Sequence, residues 1–135
     1  MKSRVLFGFV VIAVLIAQVG YAGMKKEIRF NPGSTTAVVK ESVVRGEQDF
    51  YYLTAKAGQN MEIKIKALEE NAVFQIYKPG YRIGTDEIKG ETLPGAGETD
   101  DATQWKGELP VSGKYLFVVG GTRGNATYEL KVTIR

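Results

Sequence analysis

The sequence predicts an all-β fold, an antiparallel β-sandwich of about eight short strands. Three observations carry that prediction. Wherever a hydrophobic pattern is visible it has period two, most plainly in Met61-Glu62-Ile63-Lys64-Ile65-Lys66-Ala67 and in Tyr128-Glu129-Leu130-Lys131-Val132-Thr133-Ile134-Arg135. Alternation of this kind marks strands with one face on a core and one in water. Turn chemistry recurs between the runs, and no window of the mature chain shows helical periodicity of useful length. A closed barrel is the alternative architecture that the same signals allow.

The elements follow in chain order. Met1-Lys2-Ser3-Arg4 is a basic start, an apolar run extends to Ala17, and Gly20-Tyr21-Ala22 has the small-x-small form of a cleavage site. Residues 1–22 therefore read as a signal peptide cleaved after Ala22, and residues 23–135 as a single exported domain. The apolar run is short for a hydrocarbon layer of about 30 Å, so no stable membrane insertion is expected after cleavage. Strands are expected near 26–30, 37–45, 49–54, 61–67, 72–77, 103–109, 114–119 and 128–135, with a short addition at Tyr81-Arg82-Ile83. Asn31-Pro32-Gly33-Ser34, Arg45-Gly46, Ala57-Gly58-Gln59-Asn60, Pro79-Gly80 and Gly120-Gly121 break the pattern between them. The glycine-rich, acidic stretch 80–102 is long for a loop, and such loops are often functional or disordered.

Composition removes much chemistry. The chain has no histidine and no cysteine. Ser-His and Cys-His nucleophiles are therefore excluded, zinc and the common transition metals lose their preferred ligands, and burial without disulfides must hold the fold. Glu98, Asp100 and Asp101 could in principle form a carboxylate pair or clasp calcium, but acids in a glycine-rich loop read first as solvated, and Asp-x-Asp-x-Asp spacing is missing. The expectation is a non-enzyme without a cofactor or metal. The leader takes Lys2 and Arg4 from the 18 basic residues and none of the 15 acids, so the mature domain is at +1. That balance gives no support to a nucleic-acid partner, and export argues against one.

Two stretches stand out as contact candidates. In Leu109-Pro110-Val111-Ser112-Gly113-Lys114-Tyr115, proline fixes φ before a bend and glycine tolerates positive φ within it. The stretch reads as a hairpin with Ser112 at its tip and Tyr115 at its root. Ser112 is then either a plain turn residue or a polar plug for another protein's cleft. Tyr115 is either a core ring with a wet hydroxyl, like a tyrosine corner, or part of that plug. The loop Gly120-Gly121-Thr122-Arg123-Gly124-Asn125 lifts Arg123, which is either a solvated charge or a fork for a carboxylate. Asn125-Ala126-Thr127 matches a glycosylation sequon and also makes sense as the bend before the last strand.

The Ala57-Gly58-Gln59 segment with the strand after it, followed by Leu109-Pro110 and Ser112-Gly113-Lys114-Tyr115, resembles the bacterial pre-peptidase C-terminal type of β-sandwich. With the leader, Thr122-Arg123 and the closing strand included, the chain resembles exported bacterial lysozyme inhibitors, the g-type inhibitors more closely than the i-type. The resemblance implies a Ser-Gly-x-Tyr loop that enters the lysozyme cleft, which points to Ser112, Gly113, Lys114 and Tyr115, and a neighbouring basic loop, which points to Arg123. Thr127 stands where a second basic residue would be expected. The function so implied is a periplasmic or secreted inhibitor of lysozyme, g-type before i-type, acting by occlusion. The alternative is an exported sandwich that binds another envelope protein or a glycan without inhibiting anything, with the 80–102 loop as its contact surface. The mechanism so implied, with both loops in one cleft, expects Ser112 and Arg123 to be exposed at the same end of the sandwich.

Overall fold

The computed structural model describes residues 23–135; the proposed leader lies outside the described residues. Ten strands are present: β1 (Lys25–Glu27), β2 (Thr36–Val43), β3 (Gln48–Ala55), β4 (Asn60–Ala67), β5 (Ala72–Tyr77), β6 (Arg82–Ile83), β7 (Ile88–Lys89), β8 (Gln104–Glu108), β9 (Gly113–Gly121) and β10 (Ala126–Ile134). They form one sheet in the order β1-β3-β9-β5, a second in the order β2-β10-β4-β8, and a small β6-β7 ribbon. The two large sheets face each other across one core, which makes the fold the expected all-β sandwich. Every pairing is antiparallel except that of the short β1 with β3.

The second sheet follows the alternation directly. Met61, Ile63 and Ile65 on β4, and Tyr128, Leu130 and Val132 on β10, are buried, while the residues between them face outward. The first sheet departs from it. Tyr115 through Val119 are all buried, because that sheet is covered on both faces. Tyr115, Phe117 and Val119 point into the main core, whereas Leu116 and Val118 join Phe50 and Tyr77 in an outer cluster capped by Tyr52, Tyr81 and Ile88.

The cap comes from the long acidic stretch, which is therefore a structural cover and carries regular pairing. β6 pairs with β7, as Tyr81-Arg82-Ile83 anticipated in part, and Leu93, Ala96 and Ala102 are buried in the main core. The backbone of this stretch seals the free edge of β5, with Leu93 N donating to Ile76 O at 2.9 Å, Ile76 N to Ala96 O at 2.9 Å and Phe74 N to Ala102 O at 2.9 Å. Gly90, at φ +151°, lies where an added Cβ would meet Tyr81 Cα at 2.9 Å, so the cover needs glycine there.

Two expectations are corrected. Gly120-Gly121 is not the turn after β9 but its last two paired residues: Gly120 pairs with Gln48 and Val73, Gly121 pairs with Ala72, and the turn falls at 122–125. Nor is 109–115 a hairpin. β8 pairs with β4 in the second sheet and β9 with β3 and β5 in the first, so residues 109–112 form an arch that crosses between sheets. Leu109, buried among core residues at the bend, anchors the crossing.

Candidate functional site

The arch at 109–112 does not stand alone. The turn between β3 and β4 also crosses from the first sheet to the second, and the two crossings lie side by side. Gly58 N donates to Leu109 O at 2.9 Å, Leu109 N donates to Gln59 O at 2.8 Å, and Ala57 N donates to Ser112 Oγ at 2.8 Å. Lys56 N closes the neighbouring turn on Gln59 Oε1 at 2.7 Å. The Ala57-Gly58-Gln59 and Leu109 to Ser112 motifs are thus two halves of one backbone assembly.

Each residue of the predicted motif has a definite place in it. Ser112 is exposed and uses its oxygen as an acceptor, which leaves its proton free to be donated outward. Gly113 has φ +144°, and a Cβ there would come within 2.8 Å of Pro79. Lys114 lies on the outer face of the first sheet, 2.9 Å from Glu27 Oε1 and 5.7 Å from the Tyr52 ring centre. It holds the Glu27 carboxyl below its ordinary range, through the hydrogen bond first and its charge second. Tyr115 is fully buried; its hydroxyl donates to Val111 O at 2.6 Å and accepts from Val111 N at 3.3 Å. Tyr115 is therefore the internal brace of the arch, and Pro110, Val111 and Ser112 form its solvent-exposed edge.

Arg123 is not a neighbour of this arch. Ser112 immediately precedes β9 and Arg123 follows it, so the nine-residue strand separates them. At the rise of an extended chain that is about 30 Å. The expectation of a joint site is corrected accordingly: both residues are exposed, but they occupy opposite ends of the sandwich. The reason is topological, since β9 runs the full length of the first sheet without a break at Gly120. Lys56, exposed in the adjoining turn, is a basic side chain at the end that carries Ser112.

The far end has its own clamp. Asn71 is buried, and its side-chain amide donates to Arg123 O at 2.9 Å and Asn125 O at 3.0 Å. Arg123 Nη2 donates to Glu69 O at 2.6 Å, and Arg45 N donates to Asn125 Oδ1 at 2.8 Å. The loop is tied to two neighbouring crossings rather than waving on glycine hinges.

Sequence reasoning missed one polar feature of the core. Tyr51 and Tyr128 hydroxyls bond to each other between the sheets, Tyr128 donates to Asp49 Oδ2 at 2.6 Å, and Asp49 Oδ1 accepts from Met24 N at 2.8 Å. Burial pushes the Tyr51 phenol up to about 12 and raises that of Tyr128 further, helped there by the bonds to Asp49 and Tyr51. The signal was a lone acid, Asp49, inside an apolar strand. Among the described residues, no group of acids is placed to hold a metal ion, and no helix is long and apolar enough to cross a membrane. Asp100 accepts from Gly97 N at 2.7 Å, which gives it a role in its turn.

No protein-family model matches the chain, and no curated protein sequence does. Solved structures do. Aeromonas hydrophila PliG, a periplasmic inhibitor of g-type lysozyme, is 33% identical, covers 83% of this chain and 96% of its own, and superposes with a TM-score of 0.65. Salmonella Typhimurium PliG is 24% identical, with coverages of 84% and 100% and a TM-score of 0.60. The pre-peptidase C-terminal domain of a Bacillus anthracis collagenase shares the fold at 15% identity, with coverages of 85% and 100% and a TM-score of 0.55. With the two-sheet fold, its paired crossings and the identity to the Aeromonas protein together, the chain belongs to the PliG family of periplasmic lysozyme inhibitors.

Proposed function

We propose that the mature chain, residues 23–135 acting as one domain in the periplasm, inhibits a g-type lysozyme by occlusion. The observation that carries this reading is the 33% identity to Aeromonas hydrophila PliG over 83% of the chain. A lysozyme cleaves peptidoglycan with carboxyl groups lining a sugar-binding groove. A blocker of such a groove needs a stiff projection, a hydrogen-bond donor and little ordering cost. The double arch at 56–59 and 109–112 supplies these: a braced backbone, the Ser112 hydroxyl proton, the exposed Val111 and Lys56 beside them.

The Ser112 end is the favoured cleft-filling surface. A second reading places the Arg123 end in the cleft, because its guanidinium keeps donors in solvent after bonding to Glu69 O, and a guanidinium matches a carboxylate in a bidentate way. The two ends are too far apart to fill one groove together. Inhibition of a g-type lysozyme by the single variants Ser112→Ala and Arg123→Ala decides between them. The favoured reading expects Ser112→Ala to weaken inhibition about tenfold and Arg123→Ala to leave it within about twofold. The converse pattern transfers the site to the far end. An i-type lysozyme is the second target to assay. If g-, i- and c-type enzymes all stay active, the chain is an exported sandwich that binds some other envelope component.

A further inference from the structure

The near-neutral mature charge hides a local excess of lysine. On the outer face of the second sheet the registers place Glu129 between Lys40 and Lys66, set Lys131 directly opposite Lys64, and set Lys106 opposite Glu62. Lys40 lies 3.9 Å from Glu129 and Lys64 lies 3.9 Å from Glu62, long contacts between exposed groups. Lys66, Lys106 and Lys131 form no ion pair among the described residues. Like charges directly opposed across a strand pair cost stability, so this face carries the Lys64–Lys131 pair at a disadvantage to folding. The opposite outer face, over the first sheet, carries both signs, with Lys25, Lys89 and Lys114 alongside Asp86, Glu87 and Glu98.

One further feature lies on the basic face. Lys40, Lys66 and Glu129 border a shallow groove of about 550 Å³ whose apolar lining is Ala67, the edge of Tyr128, and Leu68, which is 90% exposed. Lysines spaced about 5 Å across strands and about 7 Å along them, beside an apolar strip, fit a polymer that presents carboxylates and methyl groups in alternation. A polyphosphate would use the charges and leave the strip empty.

We propose that this face docks on the anionic peptidoglycan itself, through the carboxylates of its peptide stems, with acetyl and alanyl methyl groups on the Leu68 strip. The interaction is separate from lysozyme binding and does not depend on it. It would hold the protein on the polymer that a lysozyme attacks, with the Ser112 end of the sandwich left free.

The test is co-sedimentation of the mature protein with purified insoluble peptidoglycan. At low ionic strength most of the protein should pellet, and it should be released as salt rises to about 0.3 M, where the screening length has shortened to roughly 6 Å. The triple variant Lys64→Gln, Lys66→Gln, Lys131→Gln should bind at least about tenfold more weakly, while the corresponding triple lysine-to-arginine variant retains binding. Leu68→Ser should weaken binding without altering its salt dependence. None of these positions lies at the Ser112 end, so lysozyme inhibition through that end should be unchanged in all of them. The proposal is overturned if the wild-type protein stays in the supernatant, if the glutamine variant pellets like wild type, or if peptidoglycan with amidated carboxylates binds equally well. It is also overturned if phosphatidylglycerol vesicles capture the protein and peptidoglycan does not, which would assign the face to lipid.

Discussion

Tyr128 has a single hydroxyl and spends it on Asp49, while Tyr51 leans on the same oxygen from the facing sheet. Tyr128→Phe leaves a buried carboxylate oxygen without its donor and should cost about 1–3 kcal/mol of unfolding free energy by chemical denaturation. The two phenols also set a pH limit. The unfolded chain releases their protons near 10, whereas burial holds that of Tyr51 up to about 12 and raises that of Tyr128 too. Above pH 10 the unfolded state therefore binds fewer protons, and stability should fall as pH rises from 10 toward 12. Tyrosinate absorbance should show these two rings still protonated once pH has passed 10, and deprotonation of both near 10 would contradict the buried network. At the arch, Tyr115→Phe should cost about 1 kcal/mol through loss of the Val111 brace. At this scale the sequence was half legible. Tyr115 could be read as a core ring with a polar handle because it opens an apolar run, but Asp49 could not be read as a network member without knowing which sheet faces it.

At the scale of elements, period-two alternation located β4 and β10 almost to the residue because one face of their sheet is wet. It said less about β9, whose residues from Tyr115 to Val119 are all buried, since a strand covered on both faces loses its alternation. A local pattern also carries no information on which sheet a strand joins. That is why 109–115 looked like a hairpin when it is an inter-sheet arch, and why the Gly120-Gly121 pair looked like a turn. The acidic stretch was illegible for a related reason: its order comes from backbone bonds to the edge of β5 and from a few buried side chains far apart in sequence. Two substitutions test the element account. Gly113→Ala forces a Cβ into Pro79 at a positive φ and should destabilise by about 1–3 kcal/mol, with the arch loosened. Asn71→Ala should remove the amide that ties the 122–125 loop and raise amide exchange there, while the 109–112 arch keeps its protection.

For the whole molecule, the consequence of the topology is polarity. Every large-sheet strand next to its neighbour in sequence crosses to the other sheet, so the crossings gather at the two ends, Ser112 and Lys56 at one and Arg123 at the other. A single groove can take one end only. The family resemblance read from the sequence was sound in its fold, whereas its picture of two loops acting side by side was not, because the length of β9 lies between them. The most direct measurement is inhibition of a g-type lysozyme on cell-wall substrate by wild type, Ser112→Ala and Arg123→Ala at matched, near-stoichiometric ratios. The account predicts strong inhibition by wild type and Arg123→Ala and a loss of about tenfold in Ser112→Ala; a g-type enzyme left fully active by the wild-type chain, or a Ser112→Ala protein as potent as wild type, would contradict it.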